Sequence, residues 1–552
     1  QKHLASFKKY FRLVLLAYGM KIAQFRKFAI ILFLGAIFLL PFFSAKNFSP
    51  SFDEHSHLPS GYSYLKTGKI QLNPQHPPLI KELAALPLLF LKPVMPELTA
   101  NTNEWEFGLE FLFKSGSPRL SSGEAGNDAD KLLLWGRLAP MLISVLLGFF
   151  VYKWTSELFN RGAGLAALFL YAFMPNILAH AQFVTTDLGV SAFSFITLYW
   201  LWKYFKTHAF RHLVFAGLFL GFAMGSKFSA ALLLPIIAIL TLVYLWSRDN
   251  LRLSAKAIGF FKIAIPVFLL GFAVVYALYF FPKDPLFYWN GLTSIYADKS
   301  PNAFFYLNGN FSPSGWWYYF IVVFLIKTPI PFLLLLAGAI IYFKKLKLSK
   351  LDSLFIIVPV LVFFAVISWK ALDMGVRYIL PVYPFLFMPA GWLLAELFRR
   401  ESGIDFISRK FTMALAVILV GWYGFSALHV YPDFLAYFNE WVGGPDNGAK
   451  YLDGSNLDWG YDLKRLKEYQ QKNPETKVVW NQMWSGFDYY GIKNNVFNSE
   501  AWWAKPQGRY AISANLVIRT KLRAITRGDS VDWLKAYQPI DRIGQSFFIY
   551  QF

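Results

Sequence analysis

The amino-acid sequence predicts a polytopic α-helical membrane protein of about eleven transmembrane helices, followed by a small mixed α/β domain. Three observations predict it. Of 552 residues, 56% are hydrophobic and only 16% charged, too little polar surface for a soluble chain of this size. Apolar runs of about twenty residues, the length that crosses roughly 30 Å of hydrocarbon, recur along most of the chain. The basic residues behind the formal charge of +21 cluster in short segments between those runs, which is a topology signal rather than a nucleic-acid surface. There is no cysteine, so disulfides, thiolate nucleophiles and cysteine metal sites are excluded.

The elements follow in order. Residues 1–26 form a basic amphipathic arm, and the apolar stretch behind it is too long and too poorly ended for a cleaved signal. Spans are expected at 27–44, 131–153, 162–180, 187–205, 211–225, 228–246, 258–281, 316–342, 353–369, 376–398 and 410–430. The segment 211–246 is too long for one crossing and is divided at Ser226-Lys227, after Gly225. With the N-terminus in the cytoplasm, the inner connections carry Arg161, Lys206, Arg248, Arg252, Lys256, Lys344, Lys345, Lys347, Lys350, Arg399, Arg400, Arg409 and Lys410. The positive-inside bias is then satisfied at each pair of turns. Segments 45–130 and 282–315, and everything after 431, fall outside.

A connection as long as 45–130 is more than an idle turn. Within it, Pro78–Leu91 reads as one short interfacial helix, and the acidic, Gly/Ser-rich part Lys114–Asp130 as flexible. Segment 282–315 is aromatic, with Tyr296 near its middle, and enters the membrane through Trp316-Trp317-Tyr318-Tyr319. Gly217, Gly221 and Gly225 at four-residue spacing allow close helix packing. Residues 27–430 thus form the membrane domain and 431–552 an outer domain. The latter has a helix at Tyr461–Gln471 and strands near Val478–Trp480 and Ala511–Ile518.

The chemistry concentrates in Asp53–Lys81. This stretch holds adjacent acids (Asp53, Glu54), three histidines (His55, His57, His76), and Pro77-Pro78 before Lys81. Arg137, Asp187, Lys227 and Arg377 lie at or near the outer ends of expected spans, with Lys327 about three turns into its own. Charges at membrane depth are expensive unless paired, hydrated or snorkelled, and so point to a functional cavity. Arg377 and Lys227 either face it or snorkel to headgroups. Arg137 either faces it or pairs with Asp187, and Lys327 either faces it or closes a salt bridge within the bundle. Several cations in one cavity would hold a phosphate or diphosphate whose lipid tail stays in the bilayer. Asp53 and Glu54 would take a proton from an incoming hydroxyl, while fixed cations stabilise the leaving phosphate. The histidines have two readings. His55, His57 and His76 with an acid bind a divalent metal, although DEHSH has no established zinc spacing. Alternatively, His76 is a neutral donor to phosphate or sugar. No other cofactor is indicated.

Asp53-Glu54, His76-Pro77-Pro78-Leu79-x-Lys81, Arg137-Leu138, Asp187, Gly225-Ser226-Lys227-Phe228 and Arg377-Tyr378-x-Leu380-Pro381 together resemble the polyprenyl-phosphate-dependent glycosyltransferases of the GT-C class. The likeness is to the glycosyltransferase 39 group of dolichyl-phosphate-mannose–protein mannosyltransferases and their bacterial relatives, over about 27–430. The resemblance implies a GT-C fold, Asp53 as base toward the acceptor, and Glu54 assisting. It also implies Arg377 and Lys227 near the lipid phosphate, joined by Arg137, Lys327 and His76. Asp187, Lys81, Tyr378, His57 and Tyr296 are expected to support them. Related aminoarabinose transferases acting on lipid A carry lysine where this chain has His76. Segment 282–315 is too short for the β-trefoil of eukaryotic protein mannosyltransferases, so the resemblance is to a prokaryotic member in the cytoplasmic membrane. Tyr431–Glu440 and Ser455–Leu463 resemble the tail of bacterial and archaeal phospholipid-carrier-dependent glycosyltransferases.

The implied partners are the bilayer, a polyprenyl-phosphate sugar donor, and an acceptor that is an exported protein's Ser/Thr hydroxyl or an envelope glycan or glycolipid. Mannose is the first sugar expected, transferred with inversion. A transporter of lipid-linked substrates would place matching charges near the midplane of two repeated halves, and no repeat is present. A non-catalytic scaffold gives no reason for Asp53-Glu54 beside His76-Pro77-Pro78.

Overall fold

The structure is a computed structural model that describes residues 22–114, 127–248, 252–297, 304–370, 372–399, 408–480, 486–493, 507–527 and 533–552. The arm expected at 1–26 lies outside them up to residue 21, as does most of the stretch expected to be flexible at Lys114–Asp130.

The chain is a polytopic α-helical membrane protein with a small β-containing domain at its C-terminal end. Seven helices among the described residues are long and apolar enough to cross a membrane, or nine if each of two bent pairs is one span. The expected eleven are not confirmed. Helix α1 (Ile22–Ala45) is followed by four short helices: α2 (Glu54–Thr67), α3 (Leu79–Ala85), α4 (Leu88–Leu91) and α5 (Glu104–Leu109). Next come the long α6 (Ala129–Leu158) and the pair α7 (Arg161–Ala172) and α8 (Pro175–Ala181), bent by 63°. Pro175 forces Met174 into extended backbone, because the residue before proline avoids the helical region.

Helices α9 (Asp187–Thr207) and α10 (Phe210–Ser226) are the two expected spans that fall short. α10 has only 17 residues. α9 is long enough but polar, with Ser191, Ser194 and Thr197 on a helix buried almost all round, so it needs no lipid-facing apolar surface. α10 ends where the break was expected. Lys227 is extended, and a 3₁₀ turn (Phe228–Leu232) leads into α11 (Leu233–Trp246). α12 (Leu253–Leu278) packs on α10 so closely that a Cβ on Gly221 would sit 2.4 Å from Val274 Cβ, which gives the spaced glycines their purpose.

Segment 282–315 holds α13 (Phe287–Ala297) and a hairpin of β1 (Phe305–Leu307) and β2 (Asn310–Ser312). The span expected at 316–342 is α14 (Tyr319–Lys327) and α15 (Ile330–Ile341), bent by 113° where Pro329 follows extended Thr328. α16 (Lys350–Lys370), a 3₁₀ turn (Val376–Val382), α17 (Tyr383–Phe398) and α18 (Arg409–Leu428) complete the bundle. The apolar flanks of α1, α12 and α18 are exposed at Ile31, Leu269 and Ile418, as lipid-facing helices require.

Within Asp53–Lys81, residues Glu54–Thr67 form the mostly buried helix α2, closed by Gly68 in the left-handed conformation. One further expectation is corrected. Pro78–Leu91 is two helices, parted at Pro87, rather than one.

Beyond residue 431 the chain first winds over the bundle in short 3₁₀ turns to Asn456. Then follow α19 (Leu463–Lys472), β3 (Lys477–Val479), α20 (Phe487–Tyr490), β4 (Arg509–Ser513), α21 (Ala514–Arg527), β5 (Asp541–Ile543) and β6 (Phe547–Gln551). The sheet order is β3-β4-β6-β5, with β3 and β4 parallel and the other pairs antiparallel. The strand expected over Ala511–Ile518 stops at Ser513, and its second half opens α21. Both faces of the sheet are covered. Val478, Ala511, Phe547 and Ile549 share a core with Leu58, Ala84 and Leu132, while Val479, Ile512, Phe548 and Tyr550 join the main core. The alternation follows the two-residue period of a strand. It ties the C-terminal domain to the 45–130 segment as one packed body.

Candidate active site

At one end of the bundle, two ion pairs lie side by side. Asp53, the residue before α2, accepts from Arg377 with Oδ2 2.7 Å from Nη1. Asp187, which opens α9, accepts from Lys227 at 2.5 Å. Lys227 lies over the Tyr378 ring, 4.5 Å from its centroid, and the Arg377 guanidinium is 5.7 Å from the same ring. Local backbone explains the placement. Lys227 is aimed by the break at the end of α10, and Arg377 by a turn entered through Gly375, whose φ of 110° excludes a side chain in practice.

The cations separate by what their N–H groups already do. Arg137 is buried and all five of its donors are engaged. Nε and Nη2 form a fork on Glu54 at 2.8 Å each, and Nη1 and Nη2 reach the carbonyls of Ala45, Phe48 and Ser49. The Glu54 oxygens are saturated too, accepting from Ser51 N and Oγ and from Val184 N. Burial would raise the Glu54 carboxyl, but Arg137 and these donors hold it below its ordinary value. Asp187 pairs with Lys227, so the expected Arg137–Asp187 pair is not formed. Lys327 gives two N–H groups to Leu435 O and Asn456 O, both at 2.7 Å, and lies over Phe438, and among the described residues it makes no salt bridge. Lys81 donates to Tyr64 Oη, Asn73 O and Oδ1, and His76 O; burial pulls it down to about 7.

Arg377 and Lys227 are different. Their side chains are 11% and 14% exposed, and Arg377 Nε is buried without a hydrogen-bond partner. Neither reaches out from the bundle as a snorkelling chain would. Arg377, with a donor to spare, contacts the Asp53 carboxylate, which is 15% exposed, and Lys227 shares the Tyr378 ring with Arg377.

His57 and His76 are brought together, with ring centroids 5.0 Å apart. His57 Nδ1 is 2.9 Å from Val184 O; only an N–H can bond a carbonyl, so Nε2 is left as an acceptor. Burial and the neighbouring His57, Lys227, Lys81 and Arg377 charges hold His76 well below the usual histidine value. His55 points elsewhere, with Nδ1 on Ser51 O and its ring against Phe113. Residues 55 and 57 fall on different faces of α2, so the metal set His55, His57 and His76 is not assembled. No group of three metal-ligating side chains occurs among the described residues. Tyr296 lies in the last turn of α13, with its side chain outside the described residues.

Sequence reasoning missed how far the C-terminal segment enters this site. The Trp459 ring lies 4.8 Å from the Arg377 guanidinium, and Trp459 O accepts Phe52 N–H at 2.8 Å, one residue before Asp53. Tyr461 O accepts Ser49 N–H at 2.9 Å. Asn456 Oδ1 takes Val376 N–H at 3.0 Å, and Ser455 Oγ donates to Met374 O at 2.7 Å. Residues 455–461 therefore grip both backbones that deliver the Asp53–Arg377 pair. The run Ser-Asn-Leu-Asp-Trp-Gly-Tyr was the available signal, but its residue types suit sugar stacking and plain packing equally. His180 was also missed. It is buried at the end of α8 against Trp459, with no hydrogen-bond partner on either nitrogen.

A family model described as dolichyl-phosphate-mannose-protein mannosyltransferase matches residues 131–279, which include Arg137, Asp187 and Lys227 but neither Asp53 nor Arg377. No curated protein matches in sequence. Among solved structures, ArnT from Cupriavidus metallidurans bound to undecaprenyl phosphate is 14% identical, with a TM-score of 0.46 over 94% of this chain and 97% of its own. The archaeal oligosaccharyltransferase AglB from Archaeoglobus fulgidus, with an inhibitory peptide and a dolichol-phosphate, is 12% identical, with a TM-score of 0.47 over 88% and 70%. The S. cerevisiae Pmt1–Pmt2 protein O-mannosyltransferase complex bound to the sugar donor is 17% identical, with a TM-score of 0.35 over 50% and 35%.

Proposed function

We propose that the chain is a GT-C-type glycosyltransferase that moves one sugar from a polyprenyl monophosphate to a hydroxyl acceptor at the outer membrane face. One observation carries this reading: the Asp53 carboxylate touches Arg377, and both Arg377 and the neighbouring Lys227 keep N–H groups unused. The partial match to the mannosyltransferase family model supports it.

On this reading the donor phosphate inserts between Arg377 and Lys227. Arg377 offers it a fork and Lys227 a point charge. Its arrival loosens Arg377 from Asp53, freeing the carboxylate to take the acceptor's proton. The acceptor oxygen bonds to the sugar's anomeric carbon as the bond to the phosphate oxygen breaks, inverting that carbon. The proton ends on Asp53 and the electron pair on the polyprenyl phosphate, whose charge the two cations stabilise in place. His76, held neutral, donates to a phosphate or sugar oxygen. Glu54, Arg137, Lys81 and Lys327 act one layer back, fixing the backbone that carries the working groups.

Mannose is the first sugar to test, on the family model's description. The acceptor is an exported protein's Ser/Thr hydroxyl or a hydroxyl of an envelope glycan or glycolipid. The test is transfer from polyprenyl-phosphate mannose by purified protein, followed by comparison of exported glycopeptides and envelope glycans from cells carrying wild type or Asp53→Asn. Normal transfer by the variant would overturn the assignment of the base. Loss of a glycan with every glycopeptide intact would exclude the protein acceptor.

A further inference from the structure

A cavity of about 570 Å³ lies beside the turn that leads to Arg377, between the entry to α14 and the end of α16. Trp316, Trp317, Phe364 and Trp369 wall it, with Ser368 and Asp373 as polar lining. The Trp317 and Trp369 residues are 72% and 80% exposed. Aromatic residues at span ends are ordinary anchors, but an anchor needs no carboxylate. Asp373 is buried; its Oδ2 accepts the Trp316 N–H at 2.7 Å, and among the described residues no cation accompanies it. That is unusual in a chain of net charge +21. Burial pushes its carboxyl up to about 6.

Several indoles around one unpaired carboxylate suit a cationic amine, attracted both by the ring faces and by the charge. A neutral sugar would also stack on indoles but would leave the carboxylate uncompensated, and an anionic headgroup would be repelled. The aromatic residues at the ends of both helices set the cavity at headgroup level. We propose that this cavity binds the ammonium headgroup of a bilayer lipid, held by Asp373 and by Trp316 and Trp317. The site is separate from the Asp53–Arg377 cluster and does not depend on the reaction proposed for it.

The test uses the full chain in nanodiscs with equal phosphatidylethanolamine and phosphatidylglycerol of matched acyl chains, and native mass spectrometry of the lipid retained. Wild type is expected to retain phosphatidylethanolamine several-fold over phosphatidylglycerol. In Asp373→Asn the amide oxygen still accepts the Trp316 N–H, so the turn persists, and the preference should fall to parity. Trp317→Leu, on an exposed ring, should weaken it. Water-soluble glycerophosphoethanolamine separates the sources: at equal concentration it should leave the lipid in place, and displacement by it would overturn the lipid assignment. No preference in wild type, or an unchanged one in Asp373→Asn, would overturn the site.

Discussion

Asp53 and Glu54 are neighbours in sequence and opposites in environment. Asp53 is partly exposed beside a cation with donors to spare, whereas every oxygen of Glu54 is engaged inside the protein. Their substitutions should therefore fail differently. Asp53→Asn keeps shape and donor binding but removes the base, and turnover should drop by about 10²–10⁴, measured as the initial rate at saturating donor. Arg377→Ala and Lys227→Ala should instead raise the donor concentration needed for half-maximal rate. Glu54→Gln leaves the Arg137 charge buried without its partner, a loss of about 3–5 kcal/mol, and should appear as a lower melting temperature and poor yield. A Glu54→Gln protein of wild-type stability would contradict the anchoring role. Sequence alone marked all these residues, because isolated charges in an apolar chain are conspicuous. It did not sort them, since Arg137 and Arg377 look alike until their donors are traced to backbone carbonyls or left unused.

At the scale of elements, most expected spans correspond to helices because an apolar run has few other ways to satisfy its backbone. What sequence failed to convey was bending and burial. Pro175 and Pro329 each break a continuous apolar run. α2 is helical even though its sequence is polar, and its Glu54 is answered by Arg137 from α6 and by Ser51, its His57 by Val184. The turn holding Arg377 is the element most sensitive to a small change. A Cβ at residue 375 would meet Asn456 at 2.9 Å on backbone already at positive φ. Gly375→Ala should therefore raise the donor requirement much as Arg377→Ala does, while the assembly still inserts. Trp459→Ala removes the ring beside the guanidinium, a contact worth about 1–2 kcal/mol, and should weaken donor use by roughly five- to thirtyfold. Trp459→Phe should recover most of it. Equal loss in both variants would mean packing and not the ring face.

Across the whole molecule, His55, His57 and His76 are all held below the usual histidine value, chiefly by burial. The unfolded chain takes up protons as pH falls through about 6.5, and the folded chain does not, so stability should decline from there toward lower pH. Melting temperature against pH measures this, and His57→Asn with His76→Gln should flatten the slope below 6.5. The domain division at 431 was the least legible feature. Composition does change there, but the two faces of the C-terminal sheet are buried in cores whose other residues lie hundreds of positions earlier, and no local pattern encodes that. The hydrogen bonds from residues 455–461 to the segment before Asp53 have a consequence for the order of events during synthesis. Ser49 and its partner Leu463 are separated by 414 positions, so the ribosome delivers the acid well before its clamp. On the proposed function, a nascent chain that holds Asp53, Lys227 and Arg377 without this strap presents a donor lipid with an unfinished cleft, and competence to react waits until residues 455–463 have folded down.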